Sequence, residues 1–113
     1  MQVTLFATRR YERDVSRLLT AAERAAMEQA IATAPEAYPV VPGTGGVRKV
    51  RWGRQAKGKR GGVRVIYYYW SPDNEVYLIT AYAKSEKGDL TAEDRRSARL
   101  FVEVLRNEKT GRR

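Results

Sequence analysis

The sequence predicts an α+β domain in the order strand, helix, helix, three strands and helix, built as an antiparallel sheet with helices packed on one side. Three observations lead there. Two stretches of helical period follow one short β-prone run, three runs of sheet period then come in succession between Val47 and Ala83, and a last helical stripe follows Leu90. At 113 residues, 42% of them hydrophobic, the chain is long enough to close one core without metals or disulfides. There is no internal repeat and no linker. Residues 1–107 read as a single domain and 108–113 as a basic tail.

Val3 to Ala7 (VTLFA) is β-prone and ends just before the period changes, so it is the first strand. Thr8 is placed to cap a helix. From Arg9 onward, Tyr11, Val15, Leu18 and Leu19 recur at spacings of three and four, opposite Arg10, Glu12, Arg13 and Arg17. Thr20 followed by Glu23 is a capping-box pattern that starts a second helix, whose Met27, Ala30, Ile31 and Ala34 share one side. Small residues let helices approach closely, so the two form a hairpin.

Pro35, Pro39 and Pro42 stop helix formation and lead through a glycine cluster into the sheet runs Val47–Trp52 and Val63–Trp70. That cluster opens a strand, not a helix, and lacks a Gly-Lys-Ser/Thr ending, so it is a turn rather than a phosphate loop. The turn signal SPDNE precedes a third run, Val76–Ala83. Strict alternation there puts Val76, Leu78, Thr80 and Tyr82 on one face and Tyr77, Ile79 and Ala81 on the other, as expected of a well-covered strand. In the last helix Ala98, Phe101, Val102 and Leu105 mark the buried side.

Charge is concentrated in one place. The chain carries a net charge of +9 from 22 Lys and Arg against 13 Asp and Glu, and no acidic residue lies between Glu36 and Asp73. Lys49 and Arg51 are two apart on a strand and project from one face; Arg64 comes from the neighbouring strand. Such a surface attracts polyanions. There is no Cys and no His, so thiol nucleophiles, Cys-type zinc sites and the commonest acid/base are excluded. No secretory signal is visible and no apolar run is long enough for a membrane span, which fits a soluble protein of the cytoplasm with no membrane partner.

Converging cations can do more than bind. They lower the pKa of a Lys among them, making it a usable base, and Arg can stabilise the extra charge of a phosphorane-like transition state. RNA carries its own nucleophile in the 2′-hydroxyl, so cleavage needs a base, an acid for the leaving 5′-oxygen and charge stabilisation, with no metal and no cofactor. Most basic clusters, however, bind phosphate and catalyse nothing. Tyrosines in these runs can stack on bases or pack in the core, and spacing does not decide between the two.

The segments GTGGVRKVRW (Gly43–Trp52), KGKRGGVRVIYYY (Lys57–Tyr69) and YLITAYAKSEKGDLT (Tyr77–Thr91), in that order, resemble the RelE/HigB superfamily of toxins from type II toxin–antitoxin systems, most closely its HigB-like branch. The likeness covers nearly the whole chain. It implies a ribosome-dependent endoribonuclease, an mRNA interferase that inhibits translation and is held inactive by a cognate antitoxin; its partners are the ribosome and mRNA. By position, Arg64, Lys49, Arg51 and Lys84 match the family's catalytic set. Lys57, Lys59, Arg60, Tyr68, Tyr82 and Lys87 are expected to contact RNA. Ser85 stands where RelE has an arginine, and Tyr82 or Lys87 takes the place of its base-stacking tyrosine. The same superfamily includes ParE-like gyrase poisons, which tend to lack the basic set on the sheet face; a non-catalytic basic nucleic-acid-binding module is the other alternative.

Overall fold

The computed structural model describes residues 2–53 and 62–111. Strand β1 (Thr4–Ala7) leads into helices α1 (Arg9–Leu18) and α2 (Ala21–Thr33); strands β2 (Arg48–Trp52), β3 (Val63–Trp70) and β4 (Glu75–Ala83) follow, then helix α3 (Ala92–Thr110). The α+β class and the order of elements are those expected. Capping signals set the helix starts: the Thr8 hydroxyl accepts from the Tyr11 N–H, and Thr20 with Glu23 closes a reciprocal capping box. Thr91 and Asp94 close a second box at the start of α3. That helix runs to Thr110, into the stretch expected as a tail, with Lys109 held by Asp73 and Glu75.

The sheet differs from the expected all-antiparallel one. The strand order is β1-β4-β3-β2, and β1 runs parallel to β4 while the other pairs are antiparallel, so the sheet is mixed. The cause lies at Asn74, which takes a left-handed conformation (φ 57°) in the β3–β4 turn. Its carbonyl accepts from Thr4 N–H, its side-chain amide donates to the Gln2 carbonyl, and its side-chain oxygen accepts from the Tyr69 hydroxyl. The chain's start is thereby pinned where β4 begins, and the two strands set off together.

The helices also lie on both faces, not on one. Val63, Val65 and Tyr67 of β3 join Tyr11, Val15, Met27 and Ile31 in one buried cluster. Ile66 and Tyr68, pointing the other way, join Ala98, Val102 and Leu105 of α3. A central strand that is apolar on both faces needs cover on both, and once the α1–α2 hairpin occupies one side the stripe of α3 is what remains for the other. Among the described residues, no helix is long and apolar enough to cross a membrane.

Strict alternation fails once, in β4. Tyr67 pairs with Leu78 but Ile66 pairs with Thr80, leaving Ile79 as an extra residue in a β-bulge. Beyond it the faces exchange: Ala81 joins Leu78 on the hairpin side, and Tyr82 joins Tyr77 and Ile79 on the α3 side. The expected grouping of Tyr82 with Val76 and Leu78 is corrected by that single residue.

Candidate functional site

The bulge has a chemical result, because Arg64 lies on the face to which Tyr82 is moved. Arg51, Arg64 and Tyr82 are directly paired across β2, β3 and β4. Directly opposed residues have Cα atoms about 4.5–5.5 Å apart, so two guanidinium groups and a phenol share one row. The next row is Lys49, Ile66 and Thr80. Like charges directly opposite destabilise a sheet, yet Arg64 is held there at 8% exposure. Among the described residues the ion pairs bordering this face belong to Lys49, Lys87, Arg95 and Arg10, and none involves Arg51 or Arg64. A buried guanidinium beside a second one, with no carboxylate among the described residues, leaves positive charge on this face that the fold does not neutralise.

Gly62 is fitted to this place. A Cβ on it would come within 3.0 Å of the Trp52 carbonyl and 3.6 Å of an Arg64 guanidinium nitrogen. Its own carbonyl accepts from the Lys84 N–H at 3.0 Å, which ties the turn after β4 to the start of β3. Lys84 is exposed in that turn.

An acidic rim completes the face, and the sequence had not pointed to it. Asp89 accepts from Lys49 Nζ at 3.3 Å and from Arg95 at 3.2 Å. The N–H of Leu90 and then the Lys49 ammonium hold its carboxyl below the usual range. Asp94 accepts from Lys87 Nζ at 2.7 Å. Burial alone would raise its pKa, but Lys87 and the Thr91 N–H and hydroxyl outweigh burial and bring it down to about 2. Lys87 Nζ also stands 5.2 Å from the Tyr82 ring centroid. Among the described residues the buried Tyr82 hydroxyl has no hydrogen-bond partner; burial first, then the Asp89 carboxylate, pushes its pKa up, and the Arg64 charge opposes them.

The Asp94 carboxylate gives this rim a pH signature. A carboxyl depressed in the folded state adds stability that is complete above the unfolded pKa near 4 and disappears as pH falls toward 2. With partial solvent screening this amounts to about 1–2 kcal/mol. The Asp94→Asn variant is therefore expected to lose less stability than wild type between pH 5 and pH 2, measured as the shift in urea midpoint. Parallel pH profiles for the two proteins would contradict the assignment.

The structure thus brings Lys49, Arg51 and Arg64 to one face, with Lys84 and Lys87 at its border. Tyr68 is elsewhere. Its ring is 6% exposed beneath α3, with Arg106 donating to its hydroxyl at 3.5 Å and Gly46 against it, so stacking on a base would require α3 to move. The Tyr82 ring, 3% exposed, is likewise packed rather than offered. Lys57, Lys59 and Arg60 lie outside the described residues. Among the described residues, no three His, Cys, Asp or Glu side chains come together as a metal site.

A family model for the RelE toxin of the RelE/RelB toxin–antitoxin system matches residues 4–110, nearly the whole chain. The chain belongs to the RelE toxin family. A protein of this family is one half of a toxin–antitoxin pair, so an antitoxin partner is implied. The fold agrees: a free-state structure of the E. coli toxin RelE, an arginine-to-alanine double mutant, superposes with a TM-score of 0.56 at 17% identity, covering 78% of this chain and 90% of that one. At that identity the likeness speaks for the RelE fold alone.

Proposed function

We propose that this RelE-family toxin is an mRNA interferase, a HigB-like endoribonuclease that cuts mRNA on the ribosome in the cytoplasm until its antitoxin restrains it. The observation that carries this reading is the buried Arg64, opposed by Arg51 and without a carboxylate among the described residues. The 2′-oxygen of the RNA attacks the adjacent phosphorus, the bond to the 5′-oxygen breaks, and a 2′,3′-cyclic phosphate and a free 5′-hydroxyl end result. Arg64 and Arg51 stabilise the charge that accumulates on the phosphoryl oxygens. Lys84, exposed at the end of β4, takes the 2′-hydroxyl proton, and Lys49, released from Asp89 by the incoming phosphate, supplies a proton toward the leaving oxygen. Lys87 contacts the RNA at the rim. No metal or cofactor enters this sequence of steps.

The test is to induce the wild-type chain in cells without its antitoxin and map mRNA ends that carry a 5′-hydroxyl. In-frame cuts confined to translated regions are expected. Growth arrest with intact mRNA would instead point to a ParE-like target, and absence of both arrest and cleavage would leave only a binding module.

A further inference from the structure

Helix α1 presents a second cationic group that the sheet-face site does not use. Arg10, Arg13 and Arg17 all approach the carboxylate of Asp14, at 3.9, 3.4 and 3.9 Å. Asp14 itself is buried at 9% exposure and also accepts from the Thr80 hydroxyl at 3.0 Å, which fixes it to β4 beside the bulge. A buried carboxylate needs a partner, and one arginine would serve. Three surround it, Arg13 donating a hydrogen bond and the other two at longer range, so each guanidinium keeps N–H groups that Asp14 does not engage. Their side chains remain 46, 73 and 50% exposed.

Helix stability accounts for only part of the group. Arg17 alone gains from its place in the last turn; Arg10 stands in the first turn, where the macrodipole disfavours a cation, and Arg13 sits mid-helix, where it has little effect. Nor is the hairpin held by them, since that role falls to Arg24 with Glu12 and Glu28. The group also borders the site. Arg10 reaches Asp94 at 3.7 Å, the residue that holds Lys87, and Arg17 pairs with Glu86 in the turn that carries Lys84.

We propose that Arg10, Arg13 and Arg17, spread by Asp14, form a second binding site for backbone phosphates of RNA, continuous with the sheet-face site across residues 84–94. The inference rests on the RNA-cleaving reading for the nature of the polyanion. From Arg10 to Arg17 the helix rises about 10 Å, enough to meet more than one phosphate. Asp14 acts as a positioning residue: it limits the conformations of three long side chains before the ligand arrives. The RNA is either message flanking the cut or ribosomal RNA, and the same phosphate chemistry serves both.

The experiment measures affinity of the full chain for purified ribosomes and for a single-stranded oligoribonucleotide, each across a range of salt, and message cleavage alongside. The triple variant Arg10→Gln/Arg13→Gln/Arg17→Gln is expected to bind at least tenfold more weakly, with the slope of log K against log salt reduced by about two. Arg13→Gln alone, which disturbs only the most exposed of the three, is expected to lose about threefold and guards against misfolding of the triple variant. Loss in the oligonucleotide arm assigns the site to message, and loss confined to ribosomes assigns it to ribosomal RNA. Unchanged affinity and slope in both arms, with wild type binding and cleaving, would overturn the second site while leaving the nuclease intact. Unchanged RNA affinity with weakened antitoxin binding would overturn it in favour of an acidic protein surface. Wild type binding neither ribosomes nor RNA would remove this site and the nuclease reading together.

Discussion

Replacing Arg64 with alanine is expected to lower ribosome-dependent cleavage by about 10²–10³-fold while leaving ribosome affinity within about threefold. The first figure follows from the loss of a preorganised donor aimed at developing charge, typically about 3–4 kcal/mol of transition-state stabilisation. The second follows from placement. Arg64 is buried in the middle strand of the row, whereas the surfaces that meet a large partner first carry the exposed cations Arg51 and Lys84. Stability is expected to change little, because truncation removes a like charge directly opposite Arg51 and so offsets lost packing. Arg64→Lys keeps the charge but not the planar fork, and should recover no more than about tenfold of the lost rate. Single-turnover cleavage on programmed ribosomes, with binding measured separately, decides the matter. Cleavage and affinity falling by the same factor would make Arg64 a phosphate contact and nothing more.

The basic row was legible because strand alternation is a local rule. Lys49 and Arg51 share a face by spacing alone, and Val63–Trp70 was recognisable as a strand from its own residues. Helix starts were legible for the same reason: Thr8 and Thr20–Glu23 act within three residues of themselves. What the sequence withheld were relations across distance. The parallel placement of β1 depends on Asn74, some seventy residues away, and nothing within VTLFA reports it. The two-sided apolar character of β3 and β4 did signal cover on both faces, and following that signal through would have put α3 opposite the hairpin. Asp89 and Asp94 carry no local signal in the sequence; only the fold sets them against Lys49 and Lys87. Asp14 went unread on a helix whose Arg10, Glu12, Arg13 and Arg17 were placed opposite the apolar stripe, and it turns in.

The bulge at Ile79 is the least legible feature and the one on which the site most depends. One extra residue in β4 turns Tyr82 from the hairpin side to the Arg64 side, and no periodicity argument anticipates it. Its hydroxyl then lies buried and, among the described residues, without a hydrogen-bond partner, close enough to Asp89, Arg64, Asp94 and Arg95 for their charges to act on it. An orphaned buried hydroxyl costs about 1–3 kcal/mol, and phenylalanine fills the same space without that cost. The Tyr82→Phe variant is therefore expected to be more stable than wild type by about 1 kcal/mol, seen as a higher urea midpoint at unchanged slope. Cleavage is expected to move the other way, down by about tenfold, because an RNA phosphate that draws Lys49 away from Asp89 opens the rim and gives the hydroxyl its missing acceptor beside Arg64. Gain of stability with loss of activity in one substitution is the mark of a group kept for function at the expense of the fold. A variant that is more stable and equally active would show that the hydroxyl is a packing residue with a tolerated defect, and would leave Arg51 and Arg64 as the whole of the row's chemistry.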